Sequence, residues 1–372
     1  MKRHPDLSPG VASAASDYRV SSTRAESFLH DVYGRRRKHA ELADYLELIE
    51  GDDAQFQRAK FKSNWDKDER RAAAIREKHD KTAGKAGLAL ENMLTVEIEN
   101  ADWFNASVFA TSDIDDYTRG VDAVLEWDPD EGDPPYQLAV DFTTAVSPEV
   151  VDHKFGSSRG GATVDYYISD FDEDEPIQEL THVPRVVLGI DASLLPDVAR
   201  AGLDNKSTKF IENPHPDVVG EVEVEVVGRR AYVDHPLQIV LLEQAKLQLG
   251  LLVREEAARI TKRLVRVKSE LPEEIDALLL RYTAAIGDAE AVAEVIDEIF
   301  ASGAEVVGAV FDEAKSLKWK NWNGCYRMVT NQLSNVLENT KTRPSDVRAL
   351  RSGSELDAQL RKNVEKLSQA VA

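Results

Sequence analysis

Gln-Leu-Ala-Val-Asp-Phe-Thr-Thr, residues 137–144, is the stretch on which the fold turns. Leu138, Val140 and Phe142 share one face of a strand, so Asp141 and Thr143 project together from the other. The segment upstream, Asp115–Trp127, reads Asp-Asp-Tyr-Thr-Arg-Gly-Val-Asp-Ala-Val-Leu-Glu-Trp and follows the same logic. Val121, Ala123, Leu125 and Trp127 share a face, and Asp122 lies opposite. A strand that packs on a core yet lifts one carboxylate from its middle breaks the local rule, and such breaks concentrate at functional sites. Two of them on consecutive strands point to a divalent-metal site, because Mg2+ is usually held by one or two carboxylates with water and phosphate oxygens.

Around this pair the pattern runs helix, three strands, helix, strand. Gly84–Ile98 has a helical stripe at Leu88, Leu94 and Ile98, with Glu91 on the same side. Asn105–Thr111, Gly120–Trp127 and Gln137–Thr144 are the strands. The acidic separators Asp113–Arg119 and Asp128–Pro135 read as turns. Ser147–Phe155 is a short helix, and Val183–Asp191 is an apolar run suited to a strand buried on both faces. Ser193 is positioned to cap a helix over Ser193–Leu203. The expected organisation is a mobile tail at 1–25, a charged helical region at 26–83, an α/β core at 84–234 and a helical region at 235–372. The charged helices fall at Ala25–Leu48 and Ala54–Lys81. The C-terminal helices fall at Leu237–Val267, Pro272–Ile286, Ala289–Ala301, Glu305–Leu317, Tyr326–Asn339 and Ser354–Ala370.

Composition narrows the class. The chain of 372 residues carries a net charge of −21, and its acidity sits in one place: residues 91–235 hold 9 Lys/Arg against 32 Asp/Glu. Residues 1–90 hold 18 against 15, and ten cations face five acids between Arg58 and Lys85. Bulk negative charge argues against indiscriminate nucleic-acid binding but leaves room for a local basic surface on the flanks. Cys325 is the one cysteine, so neither an internal disulfide nor a cysteine-based zinc site is possible. With no long apolar run and no apolar stretch at the N-terminus, the expected address is cytoplasmic, without a membrane contact.

The element order with its two acids resembles the PD-(D/E)XK nuclease superfamily over roughly residues 84–203. In that family an acid on the second core strand and one on the third hold a metal ion, and a helix Glu often completes the site. Carried over, Asp122 takes the first role, Asp141 the second and Glu91 the third. The family's Lys, two residues after the third-strand acid, is Thr143 here; members can carry that Lys on the following helix, where Lys154 is the candidate. Thr-Ser-x-x-Asp-Asp from Thr111, Gly-Val-Asp from Gly120, Val-Asp-Phe-Thr from Val140, Val183–Gly189 and His235–Gln238 are together similar to a bacterial branch of that superfamily.

The resemblance implies Mg2+- or Mn2+-dependent hydrolysis of phosphodiester bonds in DNA or RNA. Asp122, Asp141 and Glu91 would hold the ion and Lys154 would assist the attacking water. Substrate would be drawn in by the basic stretches Arg58–Lys85 and Lys315–Arg327, the second of which interleaves cations with Trp319, Trp322 and Tyr326 as stacking proteins do. The rival reading is a nuclease-fold scaffold without catalysis, binding a protein or a second copy through its C-terminal helices; Thr143 and the acidic core favour it. A weaker rival is a serine hydrolase at Gly156-Ser157-Ser158-Arg159-Gly160, although that motif needs a strand before it and a helix after it. Without the motif's context, these residues read as a loop. Asp115, Asp116 and Glu126 read as turn or solvent groups, with Asp116 available as an outer contact, and His153 as a surface histidine. The acid run Asp170–Glu175 lacks the Gly and terminal Glu of a calcium loop and reads as a solvated segment.

Overall fold

The computed structural model describes residues 41–371, except 52, 80–84, 129–133, 145–146, 170, 172–176, 196, 199–205, 213–220, 228–231, 268, 270, 304 and 312. The expected tail at 1–25, the start of the first charged helix, most of the Asp128–Pro135 separator and most of the Asp170–Glu175 run lie outside these residues.

Four strands form a mixed sheet in the order β1 (Ser107–Ala110), β2 (Ala123–Trp127), β3 (Tyr136–Thr143) and β6 (Arg185–Gly189). β1, β2 and β3 are antiparallel neighbours, and β6 runs parallel to β3 with Asp141 opposite Val187. A parallel pair needs a crossover. Here it consists of helix α5 (Pro148–Ser158) followed by a hairpin of β4 (Ala162–Ile168) and β5 (Ile177–Val183). Helix α3 (Lys85–Asn100) precedes β1, so the expected order of helix, three strands, helix and strand is present, with that hairpin inserted.

A second insertion lies between β1 and β2. Residues Asp113–Arg119, expected as a turn, form helix α4. Its start is fixed locally: the Asp115 amide donates to Ser112 Oγ at 3.1 Å, and Asp113, Asp115 and Asp116 sit in the first turn, where the helix dipole favours negative charge. Gly120, at φ 68°, ends it in the left-handed region.

The sheet is covered on both faces. Ala123, Leu125, Leu138, Val140 and Val186 pack into the main core with Met93 and Leu94 of α3. On the other face Val124 and Ala139 meet Val164, Tyr167, Leu180 and Val183 of the hairpin.

The open edge of β6 is closed by side chains. Helix α6 (Pro236–Arg266) lays Gln244 and Gln248 along it. Gln248 Nε2 donates to the Val187 carbonyl at 2.8 Å, and the Val187 amide donates to Gln248 Oε1 at 2.9 Å. Gln244 makes the same pair with Gly189, at 3.1 Å each way. Two glutamines four residues apart thus act as the missing neighbour strand, so the edge offers little for another chain to pair with.

The C-terminal region contains α7 (Glu273–Ala285), α8 (Ala289–Ala301), α9 (Glu305–Val310), α10 (Glu313–Asn339), α11 (Pro344–Gly353) and α12 (Glu355–Val371). One hydrophobic cluster runs from Met93 to Leu350 and joins α7 through α11 to the sheet, while α12 packs through a second one that sets Leu356, Leu360 and Val364 against Val151, Phe155 and Val187. The expected helix over Glu305–Leu317 is broken where Phe311 turns in against Phe300, at a ring distance of 5.6 Å. Beyond the break α10 runs unbroken through Asn339, because Trp319, Trp322, Tyr326, Val329 and Leu333 keep a buried stripe at helical spacing. Ser193 lies inside a short 3-10 turn, Ala192–Leu194, and much of the helix expected over Ser193–Leu203 lies outside the described residues. Asp191 caps α12 from a distance, accepting from the Glu355 and Leu356 amides at 2.6 and 2.9 Å. A further hairpin, β7 (Lys206–Glu212) with β8 (Glu221–Val227), completes the described elements. Among the described residues no helix is long and apolar enough to cross a membrane.

Before the core, α1 (Leu42–Leu48) and α2 (Ala54–His79) dock through an aromatic cluster of Tyr45, Phe61, Trp65 and Tyr166. Tyr166 bonds at both ends: its carbonyl accepts from Tyr45 Oη at 3.1 Å and its own hydroxyl donates to Asp68 at 3.0 Å.

Candidate metal centre

Asp122 enters the sheet one residue before β2. Its amide donates to the Val140 carbonyl at 2.9 Å, which fixes its backbone. Its Oδ2 accepts from the Phe142 amide at 2.6 Å, so the carboxylate leans across to β3 beside Asp141 and is 5% exposed. Glu91 comes down from α3 and Asp116 from α4. One carboxylate oxygen from each of Glu91, Asp116 and Asp122 lies within 4.8 Å of the others. Asp116 therefore belongs to the cluster itself. Three carboxylates are a hard oxygen donor set, suited in kind to a hard divalent cation.

Asp141 sits next to this group in a different state. Its Oδ1 meets Lys154 Nζ and its Oδ2 meets Arg185 Nη2, and the side chain is 2% exposed. Burial pushes its carboxyl above the ordinary value and Asp122 adds to that push, while Lys154 and Arg185 oppose it. Lys154 reaches this point from α5, the helix expected to carry it. Burial pulls its ammonium down, but the Asp141 and Asp122 carboxylates outweigh burial and hold it above the ordinary lysine value. Thr143, at the usual lysine position, is buried against β6: a Cβ on Gly189 would fall 1.9 Å from the Thr143 carbonyl oxygen.

Arg185 escaped the sequence reading. It is 6% exposed, and its Nη1 donates to the Arg119 carbonyl at 3.1 Å. The signal was present: one cation inside the otherwise apolar Val183–Asp191 run. Gly120 makes room for it, since a Cβ there would stand 3.1 Å from Arg185 Nη2.

Asp115 and Glu126, expected in solvent, are both buried. Asp115 ties α4 to β4 by accepting from the Asp165 and Tyr166 amides at 2.7 and 3.1 Å and from Ser112 Oγ at 2.8 Å. Burial pushes its carboxyl up to about 7 despite these donors. Glu126 accepts from Ser169 Oγ at 2.9 Å and Gln137 Nε2 at 3.1 Å.

The remaining candidates separate cleanly. Ser158, expected on a loop, ends α5; it is buried, and its hydroxyl donates to the Phe155 carbonyl at 2.7 Å. A helix precedes it and a strand follows, the reverse of a nucleophile elbow. His153 is exposed on α5. Trp319 and Trp322 are fully buried, donating to Asp297 at 2.8 Å and to the His182 carbonyl at 2.6 Å. Their rings are core anchors and are closed to a stacking base. Lys318 is paired with Glu256 at 2.9 Å.

No family model, curated protein or solved structure matches this chain.

Proposed function

We propose that the chain is a metal-dependent nuclease of PD-(D/E)XK type, hydrolysing phosphodiester bonds of DNA or RNA. The observation that carries the reading is the meeting of Glu91, Asp116 and Asp122 beside the Lys154–Asp141 pair. Glu91, Asp116 and Asp122 would hold Mg2+ or Mn2+, the cations that carboxylate oxygens suit. A bound divalent ion would supply positive charge at the phosphate and acidify a water.

The chain's own part follows from the geometry. Asp141 has both oxygens engaged by cations, so its role is to hold Lys154 in place, with the metal left to its neighbours. Lys154, kept above its ordinary pKa, stays protonated near neutrality. It acts as a hydrogen-bond donor to the phosphate or the attacking water and is unsuited to accept a proton. Proton acceptance falls to the carboxylates of the cluster. Asp122 and Asp141 are themselves buried, which strengthens the interactions they make.

The test is cleavage of labelled single- and double-stranded DNA and RNA with Mg2+, Mn2+ or EDTA. Activity should require the metal and be abolished in Asp122→Asn, while Ser158→Ala retains it. Cleavage that survives EDTA and Asp122→Asn would sink the reading, and loss on Ser158→Ala alone would revive the hydrolase. One observation favours the scaffold reading instead: Arg185 closes off the second oxygen of Asp141. A chain that cuts nothing with any metal, yet elutes as a stable oligomer or complex, would move the assignment there.

A further inference from the structure

Helix α2 sorts its charges by face. Its inward side carries Phe61, Trp65 and Ala72 into the aromatic cluster. Two of its acids turn the same way: Asp68 accepts from Tyr166 Oη, and Glu69 lies 3.6 Å from Arg76. Arg76 in turn pairs with Asp113 of α4 at 2.8 Å and lies over the Tyr117 ring. The outward side carries Lys60, Lys67, Arg70 and Arg71, all exposed, with Phe56 at 73% exposure near its start.

Lys60 and Lys67 have no acid at helical spacing, whereas Arg70 has Asp66 four residues before it and Arg71 has Asp68 three before it. The helical neighbours of Lys60 at three and four residues' distance are Phe56, Gln57, Ser63 and Asn64; those of Lys67 are Ser63, Asn64, Arg70 and Arg71. Soluble helices gain a few tenths of a kcal/mol from each Glu–Lys pair at this spacing and lose about as much for like charges. The sequence sets Lys67 against both Arg70 and Arg71 and accepts that cost. Among the described residues none of the four cations has a carboxylate partner; Arg70 donates to the Asp66 carbonyl at 2.8 Å. Asp66 and Glu77 are exposed on the flank of the stripe and dilute it without pairing to it. A chain of net charge −21 does not need such a stripe for solubility.

We propose that this face of α2 is a docking surface for the sugar–phosphate backbone of a nucleic acid. The inference deepens the nuclease reading and rests on it for the identity of the polyanion. Charge complementarity selects the partner. The 1.5 Å rise per residue spreads Lys60 to Arg71 over about 16 Å, the axial length of about five phosphates on one strand. The surface is fixed to the candidate centre, because Ala72 and Ile114 pack together and Arg76 bonds Asp113 on the helix that carries Asp116. The buried tryptophans of α10 offer no stacking surface, so recognition rests mainly on the charges of α2 and is indifferent to sequence.

The test is fluorescence anisotropy in EDTA, where cleavage cannot intervene, with a labelled DNA duplex of about 20 base pairs, one of its strands, and the matching RNA strand. Four phosphate contacts give a slope of log K against log salt of about −3.6 for duplex and about −2.8 for a single strand, hence an affinity loss of about 150-fold or 50-fold between 50 and 200 mM salt. Replacing Lys60, Lys67, Arg70 and Arg71 together with Ala should remove most of that slope and weaken binding at low salt at least about tenfold. Alanine favours the helix, and circular dichroism checks that it persists. Replacing Lys341, Arg348, Lys362 and Lys366 instead changes the net charge equally and should leave binding intact.

Three results would overturn the proposal: no binding by the unmodified chain, equal binding by the α2 variant, or equal loss in both variants. Salt-sensitive self-association lost in the α2 variant, without nucleic-acid binding, would also overturn it and assign the stripe to an acidic surface of a second copy. Each of these outcomes is read without metal and leaves the cleavage test of Asp122 standing on its own.

Discussion

Replacing Gln248 with Leu should unfasten the edge of the sheet on which the candidate centre is built. The side chain is 2% exposed and makes paired bonds to the Val187 amide and carbonyl at 2.9 and 2.8 Å. Val187 is fully buried and stands opposite Asp141 in the sheet register. Leucine fills similar space but leaves one buried donor and one buried acceptor without partners. Each of the two orphans costs about 1–3 kcal/mol, and the extra apolar burial returns about 1, so the net loss should be about 1–5 kcal/mol. Guanidinium unfolding measures it. Glu at 248 is the sharper variant. It keeps an acceptor for the Val187 amide but sets an anion against the Val187 carbonyl, so its deficit should shrink as pH falls and the carboxyl regains a donor. A Gln248→Leu protein within about 0.5 kcal/mol of the unmodified chain would refute the clamp, since a change that small is typical of surface sites.

Three further outcomes follow. Burial holds the His235 imidazole down to about 4 while its Nδ1 accepts from the Leu237 amide at 3.2 Å. Its contribution is therefore fully present above the ordinary value of 6.5 and lost as pH falls toward 4, a change of about 3 kcal/mol. His235→Asn, which keeps a cap, should flatten unfolding free energy over that window, and an unchanged slope would contradict the assignment. Gly120→Ala should cost about 1–3 kcal/mol, from a left-handed φ of 68° and a Cβ pressed toward Arg185, read as a lower thermal midpoint. Lys154→Met should lower metal-dependent cleavage by about a hundredfold or more while leaving Mn2+ binding in place, which separates the donor from the ligands.

Much of the sheet was legible because its signals are local. Alternation in residues 137–144 and 123–127 gives the strands, although Val121, read on the face of Ala123 and Leu125, packs with Val124 on the other, and the continuous apolar run at 183–191 gives the buried parallel strand. What could not be read depends on distant partners. The clamp by Gln244 and Gln248 looks in sequence like two polar residues on a long amphipathic helix; only the β6 edge gives them meaning. Helix α4 is 7 residues long, about two capped turns, too short for periodicity to register, so Asp115 and Asp116 read as turn acids. The site shared this division. Asp122 and Asp141 were marked by alternation along their strands, and Glu91 and Lys154 by the family resemblance. Arg185 and Asp116 enter through tertiary approach, and they change the grouping: Asp116 joins the acids, and Arg185 takes the second oxygen of Asp141.

The account stands on three carboxylates acting as one cation site. The most direct measurement is titration of the metal-free chain with Mn2+, followed by calorimetry and by the electron paramagnetic resonance signal of free ion. The account predicts one ion bound per chain, with binding lost in Asp116→Asn and Asp122→Asn and kept in Asp141→Asn if the fold survives. Binding that depends on Asp141 but is indifferent to Asp116, or no saturable binding at millimolar Mn2+, would contradict it.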